Sequence, residues 1–516
     1  MNGRTVDPRT PCIIGVASRT WHPDEVGVDG APEPLDMWVH VANEAARDSG
    51  GRSVLEAIDD LNIVFCQTCQ YDDPPARLAE RLGVEPKHRF YSGIGGTTSQ
   101  QLVAKAGEAI LSGDRDVVLI TSAEALATQR RAKQAGERIP YSFKPPERRP
   151  YPWEAPLHPA EVAHDVFQAW LTFAVFDNAR RAHLGIGLAD YRHAIGELMA
   201  PLTKIAAANR EAWFRIARSV DEIVDPRADN RMVGYPYTKY MVAIMDVDMA
   251  AAVIVASHER AEALGVPPDR RVYLRGWSYA TDPVYVAEHR ELWRSPAMAA
   301  AATEALRGAG AHVDDVAHLD LYSCFASSIN FARDALGIAP DDARPISVTG
   351  GLPYHGGPGS GYMTHSIAQM SRDLRADPGS TGMVSGVGMN MTKHAFGVYS
   401  TQPGPVTRPD AERVQRALDA AGTVEIAERF EGAGAVAAYS VVHGRGGEPE
   451  WALLICDVAN GARAYARSVE PELLAVAESE ELVGRRVRLK SVAAKLPTGP
   501  GHRNLATLAT RVTPAN

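Results

Sequence analysis

Cysteine is scarce in this chain: five among 516 residues, at Cys12, Cys66, Cys69, Cys324 and Cys456. An odd, scattered set excludes a disulfide framework. Cys66-Gln-Thr-Cys69 is a lone C-x-x-C, and with no second pair or nearby histidine it reads as two reduced thiols at a strand end. No metal site is expected. Excess positive charge is missing too: the net charge is −9, which argues against a nucleic-acid partner. The local basic stretch at residues 130–138 and 145–150 can meet a phosphorylated ligand, but a solvated surface explains it better. No apolar run is long enough to span a membrane, and "MNGRTVDPRT" is not a signal peptide, so the cytoplasm is the expected location.

What is present is ordinary globular material, 45% hydrophobic and 23% charged, in a chain too long for a single core. Its pattern is said twice. "CIIGVAS", "LDMWVHVANEAARDSG", "IDDLNIVFCQT" and "PARLAERLGV" lead into "YSGIGGTTSQQLVAKAGEAILSGDRDVVLITSAEA" (91–125). That stretch is a glycine turn, a helix that Thr97, Thr98 or Ser99 can cap, and a buried strand. The second round runs from "RRVYLRGWSYA" through "DVAHLDLYSCFASSINFARDALGI" and "ISVTGGLPYHGGPGSGYMTHSIAQMSRDL" to "TGMVSGVGMN" (381–390). Strand–helix alternation in two halves predicts a duplicated, layered α/β fold.

An aromatic- and proline-rich helical insertion, about 127–240, separates the halves as a substrate-covering subdomain. The expected domains are 1–268 (first half with its insertion), 269–403 (second half) and 404–516. After "YSTQPGPVTRPD" the period changes to two around glycine turns, which predicts a five-stranded β-barrel of OB type. It lacks a dense basic-aromatic face, so the fold carries no nucleic-acid claim.

"DVVLITSAEAL", "DLYSCFASSINFARDALGI", "VTGGLPYHGGPGSG" and "SGVGMNMTKHAFGVYST" resemble the thiolase superfamily, in particular the sterol-carrier-protein branch and its actinobacterial thiolase-like relatives. The resemblance covers roughly residues 10–402. It implies two five-stranded βαβαβαββ halves packed face to face, five layers in all, with a CoA thioester bound at their junction as substrate or ligand and no other cofactor. It also implies acyl transfer by Claisen chemistry, and dimerisation through an edge strand of the first half, with a monomer left open.

The catalytic positions depart from the family. The nucleophilic cysteine's place falls on Gly96, the activating histidine's on Gly357, and the second cysteine's on the turn Gly386-Val387-Gly388. The His-Asp-Cys-Phe motif reads Tyr322-Ser323-Cys324-Phe325. A glycine has no thiolate, so ordinary thiolase catalysis is not expected. The candidate catalytic residues are Tyr322, Tyr354 and His355, the last read as lying on an exposed loop between glycines. Candidate substrate-binding residues are Gly95, Gly96, Ser323, Gly357, Gly388, Asn390 and His394, with His394 also readable as structural. Cys324 reads as buried and inert. Three functions fit: an acyl-CoA-binding protein or acyltransferase with altered catalysis, a retro-aldolase acting on a β-hydroxyacyl-CoA, and a non-catalytic acyl-CoA-binding scaffold.

Overall fold

The computed structural model describes residues 6–27, 30–145 and 157–509; most of the basic run at 145–150 lies outside them. In the first half, β1 (Pro11–Thr20), α1 (Pro34–Asp48), β2 (Asp60–Ile63), α2 (Pro74–Leu82), β3 (His88–Tyr91), α3 (Thr98–Leu111) and β4 (Val117–Ala125) follow in sequence. The insertion contributes α4 (Ala169–Leu184) and α5 (Leu188–Ala208) before the chain returns through β5 (Asp248–Ser257). The second half is β6 (Val272–Thr281), α6 (Pro296–Ala309), β7 (Val316–Asp320), α7 (Ala326–Leu336), α8 (Tyr362–Ala376), β8 (Thr381–Gly388) and β9 (Lys393–Ser400).

These strands run in the order β3-β2-β4-β5-β1-β6-β9-β8-β7. The duplication is visible in it: reading inward from either end, β2, β4, β5 and β1 have the counterparts β7, β8, β9 and β6. The first half has five strands as expected. The second has four, because its chain from 339 to 361 forms glycine-rich turns where β3 stands in the first. The half-sheets meet at β1 and β6 through only two residue pairs, Cys12 with Tyr273 and Ile13 with Val272. Across that seam they face one another over α3 and α8, which touch strands of both halves.

The strands form where the chain is apolar on both sides. Every residue of β4 and of β5 is buried, which suits strands covered by helices on two faces. Helix ends are marked locally. Asp73 caps α2 by accepting from Ala76 N–H at 3.0 Å, and Ser295 caps α6 by accepting from Met298 N–H at 2.9 Å. At the central layer α3 and α8 are pinned by Thr364 Oγ1 donating to Ser99 Oγ at 2.8 Å.

The C-terminal region is a closed barrel of β10 (Gly432–His443), β11 (Pro449–Asp457), β12 (Arg463–Ser468), β13 (Arg486–Leu496) and β14 (Gly499–Leu508), with α9 (Pro471–Ser479) between β12 and β13. The order β10-β11-β12-β14-β13 closes back on β10, an OB-type arrangement. The barrel strands start later than residue 404. The helix Ala411–Asp419 instead packs on β6, where Gln415 Oε1 accepts from Thr281 N–H at 2.9 Å.

Barrel and insertion are joined as one body. The strand Met232–Gly234 pairs with β10, and Asn178 of α4 donates to the carbonyls of Tyr235 and Tyr439. Arg181 pairs with Glu481 at 2.6 Å, and Tyr465 donates to Glu161 at 2.9 Å.

Candidate active site

The turn Ser92 to Thr97 brings Gly96 to the start of α3. Gly95 N–H is held by Ser360 Oγ at 2.9 Å, from the glycine-rich turns of the other half. Thr97 occupies the cap position, but its hydroxyl accepts from the Gln101 side chain at 2.8 Å, so the helix start has no side-chain cap. A Cβ built on Gly96 would stand 2.5 Å from the Tyr322 hydroxyl and still closer to the Val387 carbonyl oxygen. The space a nucleophile would need is already filled. Gly386 and Gly388 close the same contact from β8: a Cβ on either would come 3.3 Å from Gly96 O and 3.6 Å from Gly96 N, respectively.

Tyr322 reaches this point because its backbone is fixed at both ends. Its N–H donates to Ser385 Oγ at 2.9 Å, and its carbonyl accepts from Ser328 Oγ at 2.7 Å. Its ring stands edge-on to Tyr362, 5.6 Å between centroids. Burial, then the neighbouring Cys324, pushes the phenol well above its ordinary pKa. It therefore stays protonated at neutral pH, a hydrogen-bond donor and not a base.

Ser323 is structural: its Oγ accepts from Leu352 N–H at 3.1 Å and fills the space beside Gly351. Cys324 is buried as expected, and burial pushes its thiol up to about 12, which keeps it protonated at neutral pH.

His355 corrects an expectation. Flanking glycines suggested an exposed loop, yet the residue is 2% exposed. The insertion covers it: Trp213 N–H donates to the His355 carbonyl at 2.8 Å and Phe214 N–H to that of Tyr354 at 2.9 Å. Its Nδ1 lies 3.4 Å from Asn209 Nδ2, and its ring is 5.5 Å from that of His365. Burial, then Arg372, lowers its pKa to about 3, so it is neutral at physiological pH. Tyr354 is buried beside it, its phenol raised by burial, and its hydroxyl has no partner among the described residues.

Gly357 donates to the Ile244 carbonyl at 2.8 Å, and a Cβ there would sit tightly against the Leu352 side chain, at 3.2 Å. Asn390, partly exposed in the β8–β9 turn, accepts from Thr172 Oγ1 of α4 at 3.1 Å. His394 belongs to a structural network: its Nε2 is 3.0 Å from Asp282 Oδ2 and 3.0 Å from Ser295 Oγ at the start of α6. The fold thus brings Gly95, Gly96, Tyr322 and Gly388 together, leaves Tyr354, His355 and Gly357 in the covered turn beside them, and commits Ser323 and His394 to packing. Among the described residues no group of three or more His, Cys, Asp or Glu can hold a metal.

One residue escaped the sequence reading. Glu124, near the end of β4, is 1% exposed and accepts from Gln67 N–H at 2.7 Å, Thr68 N–H at 2.9 Å and Thr68 Oγ1 at 2.5 Å. Its carboxylate lies against Gly359, whose Cβ would stand 2.5 Å away. Burial outweighs these hydrogen bonds and raises its pKa to about 7. The signal was there: in "DVVLITSAEAL", after Asp116 at its head, Glu124 is an acid among small and apolar residues.

Known proteins match this arrangement at several levels. Residues 413–492 match the family model described as the thiolase-like protein type 1 additional C-terminal domain. A stretch of 152 residues is 28% identical to the 3-ketoacyl-CoA thiolase of Shewanella loihica, and the match spans 27% of this chain and 33% of that relative. The chain thus covers about a third of the length of the curated relatives it matches. Among solved structures, the Ltp2-ChsH2(DUF35) aldolase shares the fold, with a TM-score of 0.59 at 17% identity over 77% of this chain and 100% of that one. A monomeric SCP2-thiolase-like protein type 1 from Mycobacterium smegmatis superposes with a TM-score of 0.83, is 32% identical, and covers 98% of this chain and 100% of its own. That likeness runs through both halves and the OB-type barrel, and the chain belongs to the SCP2-thiolase-like proteins of type 1.

Proposed function

We propose that this protein binds an acyl-CoA thioester at the junction of its halves, within acyl-CoA and lipid metabolism in the cytoplasm, and that it forms no acyl-enzyme. One observation carries this reading: the Tyr322 hydroxyl and the Val387 carbonyl occupy the volume of any side chain at Gly96. Thiolase catalysis needs a nucleophile there, since the covalent intermediate divides a hard step into two easier ones. A neutral phenol at the start of α3 instead offers a donor to a thioester carbonyl oxygen. Incubation with acetyl-CoA followed by intact-mass measurement is expected to give the unmodified chain, while calorimetry with CoA esters shows binding. An acetyl adduct on Cys324, Thr97 or Thr98 would overturn the first half, and no heat of binding at millimolar ester the second.

A second reading is retro-aldol cleavage of a β-hydroxyacyl-CoA, favoured by the same phenol. The bond between Cα and Cβ breaks as the β-hydroxyl gives its proton to water and becomes a carbonyl; the electron pair passes to the thioester oxygen as an enolate, and Cα then takes a proton from water, so that no net proton is gained or lost. Tyr322 can donate to that developing oxyanion; its raised pKa makes it unfit to take the hydroxyl proton. Tyr322→Phe is then expected to abolish cleavage with ligand affinity nearly unchanged, a loss in kcat and not in binding. Unchanged turnover would remove Tyr322 from the reaction.

A further inference from the structure

The nine-stranded sheet ends at β3, and among the described residues no strand pairs with its outer side. His88 N–H donates inward to the Asp59 carbonyl at 3.0 Å and Ser92 N–H to that of Ile63 at 2.9 Å. Alternation along the strand then turns the backbone N–H and C=O of Arg89 outward. Beside this edge runs a groove of about 590 Å³. Its floor is Leu102, Ala106 and Ala109, which with Lys105 follow the i, i+3, i+4, i+7 spacing of one face of α3. Phe90 is 43% exposed on its rim, with the Lys105 ammonium 5.4 Å from the ring centroid.

The edge is cationic although the chain carries a net charge of −9. Lys87, Arg89 and Lys105 line the groove and make no ion pair among the described residues, whereas Arg115 is neutralised by Asp60 at 3.1 Å. Charged residues on an edge strand often serve only to repel other strands. Repulsion does not need an apolar floor or a half-exposed phenylalanine. A second copy of this chain is a poor occupant, because two-fold pairing would set this cationic strand against itself.

The geometry points to β3 as a docking edge for an acidic, extended segment of a partner protein. That segment adds a tenth strand, its backbone bonded to Arg89, its carboxylates on the face of Lys87 and Arg89, and its small apolar side chains on the face of Phe90 and α3, where Lys105 adds to the positive potential. The probe is a fluorescent peptide of alternating glutamate and valine, with the full chain, read by anisotropy. Saturable binding with submillimolar Kd is expected at low salt. It should weaken at least tenfold in Arg89→Glu/Lys105→Glu and in about 0.5 M salt, and vanish for a peptide methylated at alternate backbone nitrogens. Lys87→Glu is the second variant should the double change unfold the chain. Four outcomes overturn the proposal: no binding at millimolar peptide, equal binding of the methylated peptide, displacement of the peptide by free CoA, or a dimer in sedimentation that Arg89→Glu dissolves.

Discussion

At the residue scale the site is defined by volume as much as by chemistry. Gly96 is read from the sequence, by resemblance, as the place of a nucleophile. What fills its place is not, because the Tyr322 ring arrives from the other half of the duplication. His355 shows the opposite failure. Two glycines beside a polar residue suggest an exposed turn, and only the passage of Trp213 and Phe214 over that turn buries it. Glu124 was missed because the apolar part of its strand ends before it, and only the fold shows that its carboxyl is buried. Its titration gives a prediction with a definite sign. A carboxyl whose pKa rises from 4.5 to about 7 on folding binds its proton more tightly in the native state. The stability it contributes is complete below pH 4.5 and is lost as pH rises through 7. Between those two values the slope approaches about 1.4 kcal/mol for each step of one in pH. Denaturant titrations between pH 4.5 and 7.5 are therefore expected to show a decline that Glu124→Gln flattens. The same slope in both proteins would show that Glu124 does not titrate there.

At the scale of elements, the two glycine-rich turns, 92–97 and 350–361, were legible, as was their pairing across the halves. Apolar runs located β4 and β8 and the spacing of apolar residues located α3, although the cap expected from Thr97, Thr98 or Ser99 does not form. The absent fifth strand of the second half was not legible, since "ISV" has the composition of a strand and is followed by turns whose course depends on contacts elsewhere. Those contacts are specific. Gly359 has φ +52 and presses on Glu124, and the next residue, Ser360, accepts from Gly95 N–H. Gly359→Ala adds backbone strain to a clash with a buried carboxyl, and a loss of about 1–3 kcal/mol is expected. Because the displaced turn carries Ser360, CoA-ester affinity is expected to fall as well. Full stability in thermal denaturation would mean that the turn accommodates a side chain without moving.

At the scale of the whole molecule, the sequence separates a barrel from the duplicated unit by its change of period, and the structure ties the two together. Periodicity cannot reveal such a tie, because the groups that make it are single polar residues far apart in the chain. Arg463, 8% exposed in the barrel, donates to the carbonyls of Ala287 and Arg290 while pairing with Asp457 at 2.8 Å. Asn178 and Arg181 of α4 reach the barrel, and the opposite side of that helix reaches the site, where Thr172 bonds Asn390 and Phe173 packs on Phe325 at 4.7 Å. Removing the barrel would leave these buried donors and the paired strand Met232–Gly234 without partners, each buried orphan costing about 1–3 kcal/mol. The barrel therefore acts as part of the core, and the full chain is expected to unfold in one calorimetric transition with equal calorimetric and van't Hoff enthalpies. A chain ending at residue 404 is expected to lose near-ultraviolet circular dichroism and CoA-ester binding together. Two separate transitions in the full chain, or a truncated chain that keeps its ligand affinity, would show the barrel to be an independent appendage.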